Sequence, residues 1–179
     1  MGPPLADSFG RFYGMEDAAI DQTLDYFHQY YNARGIYESH IYPGIDEVIQ
    51  TLYAHGKKLI LATSKPEDQA RVALDWFHLT DYFCFIAGVN EDQAVPSGDP
   101  NRRATKQQVI QYILNTNGIH DPENAVMIGD RAGDMRVGRA FGMETIGAAY
   151  GYGSEQELKD AGADHIVAAP MDIVTWIMR

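Results

Sequence analysis

Residues 125–134 read Ala125-Val126-Met127-Ile128-Gly129-Asp130-Arg131-Ala132-Gly133-Asp134. An apolar run ends at a glycine and an aspartate, and a helical pattern with a second aspartate follows at once. A short apolar run bounded in this way is the mark of a strand buried on both faces. Two carboxylates just past such a strand stand where open parallel α/β sheets bind their ligands. Hard carboxylates at that place suit Mg²⁺, which takes few protein ligands and keeps several waters. The pair therefore has the look of half a magnesium-assisted phosphoryl-transfer site.

The same alternation extends on both sides. Upstream, the spacing predicts a helix over 45–54, a strand over 57–62, a helix over 66–77 with Pro66 in its first turn, a strand over 83–89 and a helix over 104–117 closed by Gly118. The quoted strand covers 124–128. Downstream come a helix over 133–141, a strand over 145–148, a helix over 155–161, a short strand over 165–167 and a final helix over 171–178. Apolar strands alternating with helices imply an α/β fold, a Rossmann-like parallel sheet with helices on both faces. The first forty residues differ. They read as two helices, 4–12 and 16–33, with Ile20, Leu24, Phe27, Tyr30 and Tyr31 at helical spacing, and then an extended segment over 36–43. Packing against another helix is the ordinary use of such a stripe. The polar stretch Asn90–Asn101 reads as an exposed loop.

A chain of 179 residues is long enough for one domain with a sizeable core and a small appendage. A net charge of −11 argues against a nucleic-acid partner, which calls for a basic face. No run reaches the length of a membrane span. The opening Met1–Asp7 lacks the basic flank and apolar stretch of a secretory signal. With Cys84 as the only cysteine, an intrachain disulfide is excluded, which fits a cytoplasmic location.

Three places carry chemistry. Thr63-Ser64-Lys65-Pro66 ends a buried strand and opens a helix. A hydroxyl with backbone N–H groups at a helix start makes an anion site, although Thr63 or Ser64 could simply cap the helix. Lys106 stands near a helix N-terminus, where a cation opposes the dipole, so an anionic partner would explain it. Arg102 and Arg103 beside it read as loop surface. Asp130 and Asp134 are either metal-side carboxylates or a helix cap and a first-turn acid. His40, His55, His78, His120 and His165 show no metal-ligand spacing.

Thr63-Ser64-Lys65-Pro66, Lys106 and Gly129–Asp134 together resemble the second, third and fourth motifs of the haloacid dehalogenase superfamily. Within it the chain resembles the phosphoglycolate-phosphatase-like hydrolases, including 5′-nucleotidases. Gly2-Pro3-Pro4-Leu5, Tyr42-Pro43-Gly44 and Tyr150-Gly151-Tyr152-Gly153 are phrases typical of that group. The resemblance implies hydrolysis of a small phosphomonoester, of phosphoglycolate or nucleotide type, through an aspartyl-phosphate with Mg²⁺ bound. Thr63 and the Ser64 backbone would hold the phosphoryl group. Lys106 would neutralise it, and Asp130 would bind Mg²⁺. Asp134 would hold either the metal shell or Lys106. Residues 1–40 would be part of a helical cap over a core spanning 41–179.

The family's first motif, Asp-x-Asp after the first core strand, supplies the nucleophile. No two aspartates here lie two positions apart, and no buried strand precedes the first helix. The chain is thus expected to begin inside the cap, roughly fifty residues late, as an N-terminally truncated and inactive form. A non-catalytic relative that binds phosphate and metal is the alternative. In the family the absent strand lies between the strands ending at Thr63 and Ile128. Those two would then pair directly, be bridged by a complementing chain or a second copy, or leave the fold weak.

Overall fold

The structure, a computed structural model, describes residues 5–90, 92, 95–96, 98–99 and 101–179, without the side chains of residues 5–7. Gly2-Pro3-Pro4, Glu91 and the Asp7 side chain therefore lie outside the described residues. The chain divides into two compact units, 1–40 and 41–179.

The first unit holds α1 (Leu5–Tyr13) and α2 (Asp17–Tyr30). From the aromatic stripe, Phe27 stacks on Tyr31 with ring centres 5.6 Å apart, while Tyr30 is exposed and hydrogen-bonds Glu38. The helix does not run on to residue 33 as the spacing predicts. It widens into a π-turn over Tyr31–Gly35, in which the Ile36 N–H donates to the Tyr31 carbonyl at 3.0 Å. Gly35 permits this, since a Cβ there would sit 2.9 Å from the Tyr31 ring. Ile36 keeps helical dihedrals, so the expected extended segment does not begin at residue 36.

In the second unit the order is α3 (Ile45–Ala54), β1 (Leu59–Pro66), α4 (Glu67–Trp76), β2 (Phe83–Val89), α5 (Lys106–Thr116), β3 (Val126–Gly129), α6 (Ala132–Ala140), β4 (Glu144–Ala148), α7 (Glu155–Asp160), β5 (His165–Val167) and α8 (Pro170–Ile177). All ladders between these strands are parallel, as the alternation predicts. Side chains alternate across them, because successive residues of a strand point to opposite faces. Ile60, Ala62, Phe85, Ala87 and Met127 meet Val109, Ile110 and Ile113 of α5 on one face. Leu59, Val126, Ile146 and Val167 meet Val48 and Leu52 of α3 and Ile173 of α8 on the other.

The strands form two sheets, β1-β2 and β3-β4-β5. The two share both helical layers, yet β1 and β3 have no ladder between them. Direct pairing, one of the three outcomes expected above, does not occur.

Candidate phosphoryl and metal site

Each residue singled out in the sequence falls at the carboxyl end of a strand or the start of the next helix. Thr63 lies in β1, which runs on to Pro66. Its Oγ1 accepts the Lys65 N–H at 3.0 Å, and the residue capping α4 is Pro66. Neither Thr63 nor Ser64 is therefore a helix cap. Ser64 is exposed.

Lys106 is the first residue of α5. Thr105 caps the helix: its Oγ1 accepts the Gln108 N–H at 3.2 Å, and Gln108 Oε1 accepts the Thr105 N–H at 3.2 Å. This capping box starts the helix two residues later than the spacing predicts. The cation at the helix start has the anionic partner that its placement calls for. Lys106 Nζ donates to Asp134 Oδ1, and the two side chains are 22% and 8% exposed.

Asp134 is the third residue of α6. Its Oδ2 accepts the Arg131 N–H at 3.1 Å, an acidic group in the electropositive first turn. Both carboxylate oxygens are thus engaged, one on Lys106 and one on the backbone. Of the two roles that the resemblance gives to Asp134, holding Lys106 is the one this geometry displays. The carboxylate lies against the strand end, where a Cβ on Gly129 would come within 2.5 Å of it. Only glycine fits there.

Asp130 precedes Arg131, the residue that caps α6, so it does not cap the helix itself. The turn after β4 wraps it. Tyr152 N–H donates to Asp130 Oδ2 at 2.9 Å and Gly153 N–H donates to the Asp130 carbonyl at 2.8 Å. A Cβ on Gly151 would lie 2.3 Å from the Asp130 Cβ, so this approach also needs glycine. Tyr150 stands close by. Burial, then the Asp130 charge and Tyr42, push its phenol up to about 12.

Glu157 was not among the residues marked in the sequence. Its Oε1 accepts Arg131 Nε–H at 2.8 Å and Ala132 N–H at 2.9 Å, tying α7 to the start of α6. The Ala132 hydrogen bond, with the Arg131 guanidinium second, holds the Glu157 carboxyl below the ordinary carboxylate value. Nothing local marks this residue, since its partners lie 25 and 26 positions away.

Arg103 corrects the sequence reading. It is not loop surface but 3% exposed. It donates to the Gly88 and Asn101 carbonyls and to Glu67 Oε2, and its guanidinium lies 4.0 Å over the Tyr112 ring. Arg102, by contrast, is half-buried.

The structure thus brings Lys106, Asp134 and Asp130 onto one loop-and-helix junction. Thr63 and Ser64 stand at the end of the neighbouring sheet, and no hydrogen bond joins them to that junction among the described residues. A cleft lined by Pro66, Glu67, Asp68, Arg71, Val89 and Asn90 lies elsewhere, since none of the five predicted site residues lines it. Among the described residues no three His, Cys, Asp or Glu side chains form a metal cage. Mg²⁺ takes one or two carboxylates and keeps several waters, so Asp130 is the residue at this junction that could hold it. No described helix is long and apolar enough to cross a membrane.

Comparison with known proteins agrees with this geometry. Residues 1–148 match the model of the haloacid dehalogenase-like hydrolase family. A 5′-nucleotidase of Pseudomonas aeruginosa is 32% identical over 94% of this chain and 72% of its own length. A phosphoglycolate phosphatase of Psychrobacter arcticus is 32% identical over 78% of this chain, which spans 57% of that relative. A haloacid dehalogenase-like family hydrolase of Streptococcus pneumoniae superposes with a TM-score of 0.86 at 26% identity, over 99% of this chain and 78% of its own. The chain belongs to the haloacid dehalogenase-like hydrolase family.

Proposed function

We propose that this chain carries the phosphate-binding and metal-binding side of a phosphatase for a small phosphomonoester, of phosphoglycolate or nucleotide type. The observation that carries the proposal is the Lys106–Asp134 ion pair, fixed on the Arg131 N–H beside Asp130. A lysine held by a buried carboxylate at a helix start is pre-positioned to neutralise phosphoryl oxygens without reorganising. Thr63 and the backbone after it would accept the phosphoryl group at the other strand end. Asp130 would hold Mg²⁺, which supplies charge neutralisation when bound. Asp134 acts through Lys106 and keeps its ammonium aimed.

The Asp-x-Asp pair that the resemblance assigns to the aspartyl-phosphate step does not occur in the sequence given. We infer that the chain by itself binds phosphate but does not turn substrate over. A positioned acid or base is typically worth ~10²–10⁴-fold. The same absence favours the second reading, a regulatory relative that binds phosphate and metal without catalysis.

The test is hydrolysis of p-nitrophenyl phosphate with Mg²⁺. The chain alone should stay at background. Robust turnover that Asp130→Asn abolishes would show that a nucleophile is present after all.

A further inference from the structure

Two segments carry the phosphate side of the candidate site, the Thr63–Ser64 turn in β1 and Lys106 at the start of α5. Asp134 holds Lys106 from the α6 side. Among the described residues no hydrogen bond runs from Lys106 to Thr63 or Ser64. The apolar face of α5 does not set that gap alone, because its first buried residue is Val109, past the turn that carries Lys106. The loop before α5 therefore decides where Lys106 stands, and Arg103 fixes that loop. The Arg103 N–H donates to the Asn90 carbonyl at 2.7 Å, and the Arg103 carbonyl accepts the Asn90 N–H at 2.8 Å. The guanidinium donates from Nε to the Gly88 carbonyl at 3.1 Å, from Nη1 to the Asn101 carbonyl at 3.0 Å and from Nη2 to Glu67 Oε2 at 2.8 Å. Its face lies on Tyr112 of α5. Glu67 is the first residue of α4 and directly follows the Thr63–Pro66 segment. Its other oxygen, Oε1, accepts Arg71 Nη2–H at 3.0 Å. Gly88 closes the joint, since a Cβ there would lie 2.5 Å from the Lys65 carbonyl oxygen.

We propose that the Arg103–Glu67 pair is a positioning strut of the phosphate site, which sets the distance between the Thr63–Ser64 turn and the Lys106 ammonium. The inference rests on the proposed function, for which that distance matters. The energetics favour positioning over stability as its role. A buried ion pair gains little over well-packed apolar residues of similar volume, because desolvation offsets the Coulomb attraction. The planar fork of an arginine, by contrast, fixes direction as well as distance. Here the fork meets acceptors from three segments: the end of β2, the loop before α5 and the start of α4. Donors for a phosphoryl group are effective when they stand ready at the right spacing before it arrives. Neither residue touches the phosphoryl group. Glu67 acts through the turn that precedes it, and Arg103 through the loop that leads to Lys106.

The test is Arg103→Lys in the full chain, which keeps the charge but not the planar fork. A second variant, Glu67→Gln with Arg103→Met, removes both charges together, so that neither is left buried alone. Inorganic phosphate with Mg²⁺ is titrated by calorimetry, and Mn²⁺ alone by paramagnetic resonance. Both variants should bind phosphate about tenfold or more weakly than the parent. Mn²⁺ affinity should not change, because the turn after β4 holds Asp130 independently. Arg71→Met removes the hydrogen bond to Glu67 Oε1 and leaves the Arg103 link, so its phosphate affinity should match the parent's. The Lys65, Ala104 and Thr105 amides, each donating to a side-chain oxygen, should exchange about tenfold faster in Arg103→Lys, with the β4 amides unchanged. Unchanged phosphate affinity, an equal loss from Arg71→Met, or a parallel loss of Mn²⁺ affinity would overturn the strut. So would unchanged exchange at those three amides, a result that needs no phosphate. A parent chain that binds no phosphate would instead overturn the proposed function, and amide exchange would then decide the strut by itself.

Discussion

Lys106→Met removes the cation from the centre of the candidate site, and the structure gives the size of the effect. Breaking a buried ion pair by deleting one partner costs about 3–5 kcal/mol, because the other charge stays buried and uncompensated. Asp134 is 6% exposed and cannot move into water without unwinding the first turn of α6. It retains the Arg131 N–H on its second oxygen, which offsets about 1 kcal/mol of that cost. The expected loss is therefore ~2–4 kcal/mol. For a chain of 179 residues, at ~2–4 °C per kcal/mol, the melting temperature should fall by roughly 4–16 °C. Asp134→Asn should cost less, since the 22% exposed Lys106 can turn its ammonium to solvent. The exposed Lys159–Glu155 pair is the control, and Lys159→Met should leave the melting temperature unchanged. Urea denaturation of the three variants and a double-mutant cycle on Lys106 and Asp134 measure this directly. A Lys106→Met variant as stable as the parent would refute the assignment of Asp134 as the holder of that lysine.

Two further outcomes are expected. Gly151→Ala places a Cβ 2.3 Å from the Asp130 Cβ and should lower both stability and Mn²⁺ affinity by paramagnetic resonance, whereas Gly133→Ala, in open space within α6, should be neutral or mildly stabilising. Glu157 titrates below its ordinary 4.5 in the fold, so its stabilising contribution is complete above that pH and fades as pH falls through the lower folded value; Glu157→Gln should flatten the acid limb of the stability curve and leave the neutral region sloped as before.

The places of the candidate site residues in the fold were legible because the sequence marks strand ends and helix starts. Thr63, Lys106, Asp130 and Asp134 each sit within two or three residues of a change in periodicity. What holds them was not legible. Glu157 reaches the start of α6 from 25 positions away, and Arg103 finds Glu67 36 positions away beneath a tyrosine. An arginine in a polar stretch looks solvated until the partners are known. The tight turn over Tyr150–Gly153 was visible as a phrase, but its use was not, since close approach to Asp130 exists only in three dimensions. The split of the sheet is similar in kind. Alternation fixes that strands are parallel and doubly covered, while which strands pair depends on contacts far apart in sequence.

The central claim is that Thr63, Lys106 and Asp130 form one phosphate and Mg²⁺ pocket. Calorimetric titration of the full chain with inorganic phosphate, with and without Mg²⁺, tests it most directly. Phosphate should bind measurably only with Mg²⁺ present. Thr63→Val and Lys106→Ala should each weaken it by about tenfold or more, the worth of a hydrogen bond to a charged group. Asp130→Asn should abolish the Mg²⁺-dependent binding. Phosphate binding that ignores Mg²⁺ and survives all three substitutions would contradict the account.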